Sequence, residues 1–143
     1  MTNPKGTKHE TAVVRYLNGR GWPYAKRIPK GGARDKGDVT LGDGFPVTIQ
    51  AKDRKGFEMA ATQRGLAEQM KNAGVPWGFA VHKKRGTTNV GDYYAVLPVS
   101  VMMDILEMAI LNRQKQVVIT HEVDGPQKPA EKRRSRSVIP TYD

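Results

Sequence analysis

A mixed β-sheet covered by α-helices is the fold class this chain predicts, and three observations predict it. Two short runs, Asp38-Val39-Thr40-Leu41 and Val47-Thr48-Ile49-Gln50-Ala51-Lys52, alternate with a period of two around Gly42-Asp43-Gly44, which has the residue types of a tight hairpin loop. Helix-like and strand-like runs then follow in the order helix, three strands, helix, two strands, helix, with no internal repeat. The length of 143 residues suits one core and a tail, expected as a domain at 1–124 and a basic, disordered C-terminal tail at 125–143.

The first helix is expected from about Lys8 to Asn18, with Thr7 as N-cap and Glu10 at capping-box spacing. Val13, Val14 and Leu17 lie three, four and seven residues beyond Glu10, so its carboxylate falls within the apolar stripe. A core-facing carboxylate is costly unless something pairs with it, and helix capping is the ordinary compensation. Tyr24 to Ile28 reads as a strand, and Lys30 to Gly37 as a mobile basic loop. It lacks the ending of a nucleotide-binding P-loop, and its Lys30, Arg34 and Lys36 are placed to meet phosphates.

In the central hairpin, Val47, Ile49 and Ala51 point into a core while Thr48, Gln50 and Lys52 share the other face. A second helix is expected from about Glu58 to Asn72, with Met59, Thr62/Gln63, Leu66 and Met70 at helical spacing and Gly74 and Pro76 ending it. Trp77 to Val81 reads as a buried strand, His82 to Gly86 as a basic turn and Tyr93 to Leu97 as a further strand. The Trp and Tyr residues are expected in packing rather than base stacking. Val101 to Leu111 is a helix more apolar than one buried face requires, which suggests a subunit interface. Gln116 to Val123 is expected as an edge strand.

Lys and Arg number 24 against 14 Asp and Glu, a formal net charge of +10 that favours a polyanionic partner such as nucleic acid. Beyond Gly125, five cations face two carboxylates, so the tail carries +3 and the body +7. The absence of cysteine excludes a disulfide framework and thiolate zinc sites. His9, His82 and His121 lack ligand spacing and are expected as surface or partly buried histidines. No apolar stretch is long enough for a membrane span and no signal-peptide core is present, so an intracellular protein is the expectation.

Pairing the hairpin strands would bring Asp38 near Gln50 and Lys52. A carboxylate, a second oxygen ligand and a lysine on one sheet edge suit a metal-dependent phosphodiesterase. Alone, Asp38 reads as a residue beginning a strand and Lys52 as one of many surface lysines. Together with Glu10 on its apolar stripe they point to a site.

These residues resemble the PD-(D/E)XK nuclease superfamily, most closely its archaeal-type Holliday junction resolvase branch. The likeness runs roughly from Lys5 to Leu97: Lys-Gly before Glu10 on the first helix, Arg27 on the first strand, a Gly-rich loop, Gly-Asp38-Val, a hairpin, Gln50-Ala51-Lys52 and a helix with Gln63. It implies a restriction-endonuclease-like central mixed sheet flanked by helices, a homodimer, and cleavage of Holliday junctions or other branched DNA in recombination and repair. Its cofactor would be Mg²⁺, with Mn²⁺ substituting, and its location the cytoplasm, nucleoid-associated, or a host cytoplasm if viral.

By the same resemblance Asp38 is the principal metal ligand, Gln50 stands at the second acidic position, the Ala51 carbonyl and Glu10 complete the set, and Lys52 steadies charge on the phosphate. Lys5, Lys8, Arg27, Lys30, Arg34, Lys36, Arg54 and Lys55 are the expected DNA-binding cations. Two departures stand out. Gln50 keeps an oxygen but removes a formal charge, and Gly31-Gly32-Ala33 replaces a loop that often carries serine in resolvases. The alternatives are a restriction-like or nicking nuclease on duplex DNA, and an inactive DNA-binding protein on a nuclease fold.

Overall fold

The computed structural model describes residues 4–30 and 33–123. The chain forms two compact units, Met1–Met102 and Met103–Asp143, and the tail expected at 125–143 lies outside the described residues.

The first unit holds α1 (Pro4–Gly19), β1 (Lys26–Arg27), β2 (Val39–Thr40), β3 (Val47–Lys52), α2 (Met59–Ala73), β4 (Trp77–His82) and β5 (Tyr94–Val96). The strands form one mixed sheet in sequential order, antiparallel except where β3 and β4 run side by side, so the expected α/β class with a helix-flanked mixed sheet is observed. A parallel pair needs a crossover, and α2 supplies it.

Both faces of β3 are covered. On one, Val13 of α1 packs with Val39, Leu41, Ile49 and Val81, each side chain contributing roughly 1.5–3 kcal/mol through burial. On the other, Leu66 of α2 is buried, and a Cβ on Gly78 would come within 3.0 Å of both Leu66 and Met70, so α2 lies close against β4. Thr48 and Gln50 are buried in this second layer. Gly74 closes α2 in the left-handed conformation, as its position in the sequence suggests.

Several expectations are corrected. Helix α1 begins at Pro4, a residue suited to the first turn, so Thr7 lies inside the helix and Glu10 has no capping role. The first strand contracts from Tyr24–Ile28 to two residues. Gln63 is exposed, and the buried positions of α2 are Thr62, Leu66 and Gln69. His82 ends β4 rather than opening a turn, and both it and His9 are buried. Trp22, Tyr24 and Tyr94 keep substantial exposure, against the packing expected of them.

Helix α3 runs from Val99 to Val123, replacing the expected edge strand at Gln116–Val123. Val117-Val118-Ile119 favours strand locally, but neither Gly nor Pro interrupts the chain between Pro98 and Gly125, and the helix continues. Within the second unit Ile105, Leu106, Ile110, Leu111, Val118 and Ile119 are exposed. Among the described residues no helix is long and apolar enough to cross a membrane.

The loop before β2 is tied down from Asp35 onward, not mobile. Gln69 and Asn72 of α2 donate to the Asp35 carboxylate and carbonyl, each at 2.8 Å, and Thr48 donates to the Lys36 carbonyl. Gly37 makes the turn at φ +105, where an added Cβ would collide with the Thr48 hydroxyl. Gly37→Ala is therefore expected to lower stability by about 1–2 kcal/mol from backbone conformation alone, with the collision adding to it. Urea denaturation checks this, and an unchanged midpoint would contradict it.

Candidate functional site

Asp38 leaves that turn bonded to β3 on both sides of Gln50. Its amide donates to the Ile49 carbonyl at 2.9 Å, and its Oδ2 accepts from the Ala51 amide at 2.8 Å. The hairpin thus places Asp38 beside Gln50-Ala51, as the alternating pattern predicts. Burial pushes the Asp38 carboxyl above the usual carboxylate range, the Ala51 hydrogen bond opposes this, and the negative charge of Glu10 reinforces it. Lys30 and Asp35 also act on Asp38, with opposite signs.

Glu10 is buried on α1, and its compensation comes from side chains. Arg27 reaches Oε2 through Nε at 2.8 Å and a terminal nitrogen at 2.7 Å, and Lys30 lies 3.2 Å from Oε1. The buried carboxylate on the apolar stripe therefore has its cation in Arg27 and Lys30. Two of the expected DNA-binding cations thus pair with Glu10, Lys30 while keeping 61% of its side chain exposed.

Gln50 is 5% exposed, and its Oε1 has no hydrogen-bond partner among the described residues. Its Nε2 lies near Gly65, where an added Cβ would stand 3.5 Å away, so a small residue on α2 leaves room for the amide. An unpartnered buried carbonyl oxygen costs about 1–3 kcal/mol unless something engages it. Lys52 follows two residues on. Its charge acts on His82, opposite it in the β3–β4 register, whereas Lys30 is the cation acting on Asp38. Burial holds His82 below the ordinary histidine range, and Lys52, His9 and Arg54 add to this, so its ring is neutral at pH 7.

A cleft of about 650 Å³ opens at Asp38, lined by Lys30, Arg34, Asp35 and Lys36 together with Ile28, Pro29 and Gly37. Arg54 instead pairs with Glu58 at 3.5 Å, Lys55 is exposed in the following loop, and Lys5 and Lys8 are exposed on α1. The sequence reading missed Asp35 and His82. The Asp35–Gln69 bond spans 34 positions and has no local signature, while the alternation of β4, extended by one residue, would have carried His82 into the strand.

Among the described residues no three Asp, Glu or His side chains cluster closely enough to hold a metal. The donors that fit a hard cation are fewer and mixed: the raised Asp38 carboxylate, the orphaned Gln50 oxygen and nearby Glu10. Mg²⁺ suits such a set, since it takes oxygen ligands, uses one or two carboxylates and retains several waters. No family model matches this chain, and neither curated proteins nor solved structures yield a match.

Two expectations follow from the charges. Raising the Asp38 pKa on folding makes the native state lose stability as pH rises through its titration, so Asp38→Asn should stabilise by about 0.5–2 kcal/mol at pH 7, as relief of a strained site does. Melting curves across pH check the sign: the advantage of the variant should shrink toward pH 4, and an advantage that grew on acidification would contradict it. Glu10→Ala should destabilise by about 1–3 kcal/mol by removing charged hydrogen bonds, with Arg27 and Lys30 free to rehydrate. Denaturant unfolding at neutral pH reads this directly.

Proposed function

We propose that this chain is a metal-dependent endodeoxyribonuclease of the PD-(D/E)XK type that cleaves Holliday junctions or related branched DNA. One observation carries the reading: Asp38 is bonded to the residues flanking Gln50, whose buried oxygen is unpartnered, on the strand that continues to Lys52. The order of helix, three strands, helix and strand, and the net charge of +10, agree with it. A homodimer would present two sites to two opposed strands, which is the symmetry that branched DNA asks for. A cytoplasmic, DNA-associated location belongs to the same reading.

Asp38, the Gln50 oxygen, the Ala51 carbonyl and Glu10 would hold Mg²⁺ or Mn²⁺. A bound ion supplies polarisation of the phosphate and activation of water. Lys30, Arg34 and Lys36 line the Asp38 cleft and bind the phosphate backbone. Lys52 places a fixed positive charge where negative charge grows on the phosphate during attack. The Ala51 amide keeps the Asp38 carboxylate in place, and Arg27 anchors the buried Glu10 carboxylate by charge-assisted hydrogen bonds.

A second reading has its own support. Gln50 brings no charge, and Glu10 is already paired with Arg27 and Lys30, as in a junction-binding protein that does not cut.

Cleavage of a synthetic four-way junction separates the two. The nuclease requires Mg²⁺-dependent cutting that Asp38→Ala and Lys52→Ala each reduce by about 100-fold or more, while Gln50→Glu preserves it and lowers the Mg²⁺ needed. Cutting unaffected by the first two substitutions would place the chemistry elsewhere, and tight junction binding without cutting in either metal would favour the binding protein.

A further inference from the structure

At the far end of β3 and β4 from the hairpin, a cluster of exposed rings lies among cations. Phe57, in the loop between Lys52 and α2, stacks on His82 with centroids 4.8 Å apart and planes 29° apart. Tyr94 of β5 meets Phe57 edge-on at 5.3 Å, and Lys84 Nζ lies 5.9 Å from the Tyr94 centroid. His82 is buried, yet Phe57 and Tyr94 are 50% and 44% exposed. Lone exposed aromatics are common on protein surfaces, but two that touch each other over a buried ring form a platform with apolar area open to solvent.

The charges around the platform favour an anion. A small cleft of about 190 Å³ that shares His82 with it is lined by Lys52, Arg54 and Thr62, and Glu58 is its carboxylate. Lys84 stands beside Tyr94, while Arg85 and Lys83 pair with Asp53 at 3.0 and 3.4 Å. Stacking rings bordered by phosphate-binding cations are what recognise a nucleic acid strand whose bases are free. A base inside a duplex has both faces covered by its neighbours, and only an unpaired base offers a face to an exposed ring.

We infer that Phe57 and Tyr94 form a stacking platform for an unpaired base of a DNA strand, with Lys52, Arg54 and Lys84 holding the phosphates beside it. This deepens the nuclease reading and rests on it for the identity of the nucleic acid. His82 both lines the Lys52 cleft and stacks on Phe57, so a strand bound at that cleft brings an adjacent base to the platform. The preferred substrate is then a branch with an unpaired nucleotide beside the phosphate bound at Lys52.

Binding measured in EDTA with the full chain tests this apart from cleavage. The probe is a single-stranded oligonucleotide carrying 2-aminopurine, with a blunt duplex of the same sequence as comparison. The wild type should quench the 2-aminopurine. Phe57→Leu and Tyr94→Leu should each abolish quenching and weaken single-strand binding about tenfold while leaving duplex binding unchanged, and Phe57→Trp should retain both. Circular dichroism establishes that each variant is folded, and Tyr94→Leu carries the test if Phe57→Leu is not. Folded variants that quench and bind as the wild type does, or that lose single strand and duplex equally, would overturn the platform. A protein that stacks but never cuts keeps the platform and defeats the nuclease; one that cuts without stacking does the reverse.

Discussion

The hydrogen bond from the Ala51 amide to the Asp38 carboxylate is the contact on which the candidate site depends. It fixes a carboxylate to the central strand, and it works because the preceding residues have no freedom to place that carboxylate elsewhere. Asp35 is clamped by two amides of α2, Lys36 accepts from Thr48, and Gly37 takes a conformation that side chains rarely adopt. The loop and α2 therefore hold Asp38 rigid before any ligand arrives. Preorganisation of this kind lets a site spend little on reordering its own groups.

That rigidity creates an electrostatic conflict. Burial and the neighbouring Glu10 both disfavour charge on Asp38, while the Ala51 amide favours it. Glu10, by contrast, is paired with Arg27 and Lys30, and both cations reach solvent. Asp38 has Lys30 among its attractive charges, but among the described residues it forms no ion pair. Between its two backbone partners stands Gln50, whose buried oxygen has no donor among the described residues. A cation that bridged these oxygens would relieve both costs at once, and this makes the pair a more economical centre than Glu10 for the chemistry proposed.

Much of this was legible in the chain and some was not, for reasons that separate cleanly. The hairpin and α2 were readable because a period of two around Gly42-Asp43-Gly44 and a helical run closed by Gly74 are local signals. The placement of Asp38 beside Gln50 followed from the hairpin alone. The start of α1 is hidden because Thr7 and Glu10 imitate a capping box inside the helix, and the C-terminal part of α3, beyond Leu111, because β-branched residues at 117–119 imitate a strand. The partners of Glu10 lie 17 and 20 residues away, and those of Asp35 34 and 37, so only the folded chain brings them together. The buried charge was visible in the helical spacing; the identity of its compensating cation was not.

The same division explains why the two ends of β3 differ. Near Asp38 the sheet meets carboxylates and an orphaned oxygen, and near Lys52 it meets cations and a neutral His82 under exposed rings. On the proposed reading, one strand joins a place for a cation to a place for an anion. Anomalous scattering from crystals grown with Mn²⁺ tests that account most directly. It predicts a peak within coordination distance of an Asp38 carboxylate oxygen and the Gln50 amide oxygen; a map with no peak there, the Gln50 oxygen satisfied by a water or a rotated partner instead, would contradict it.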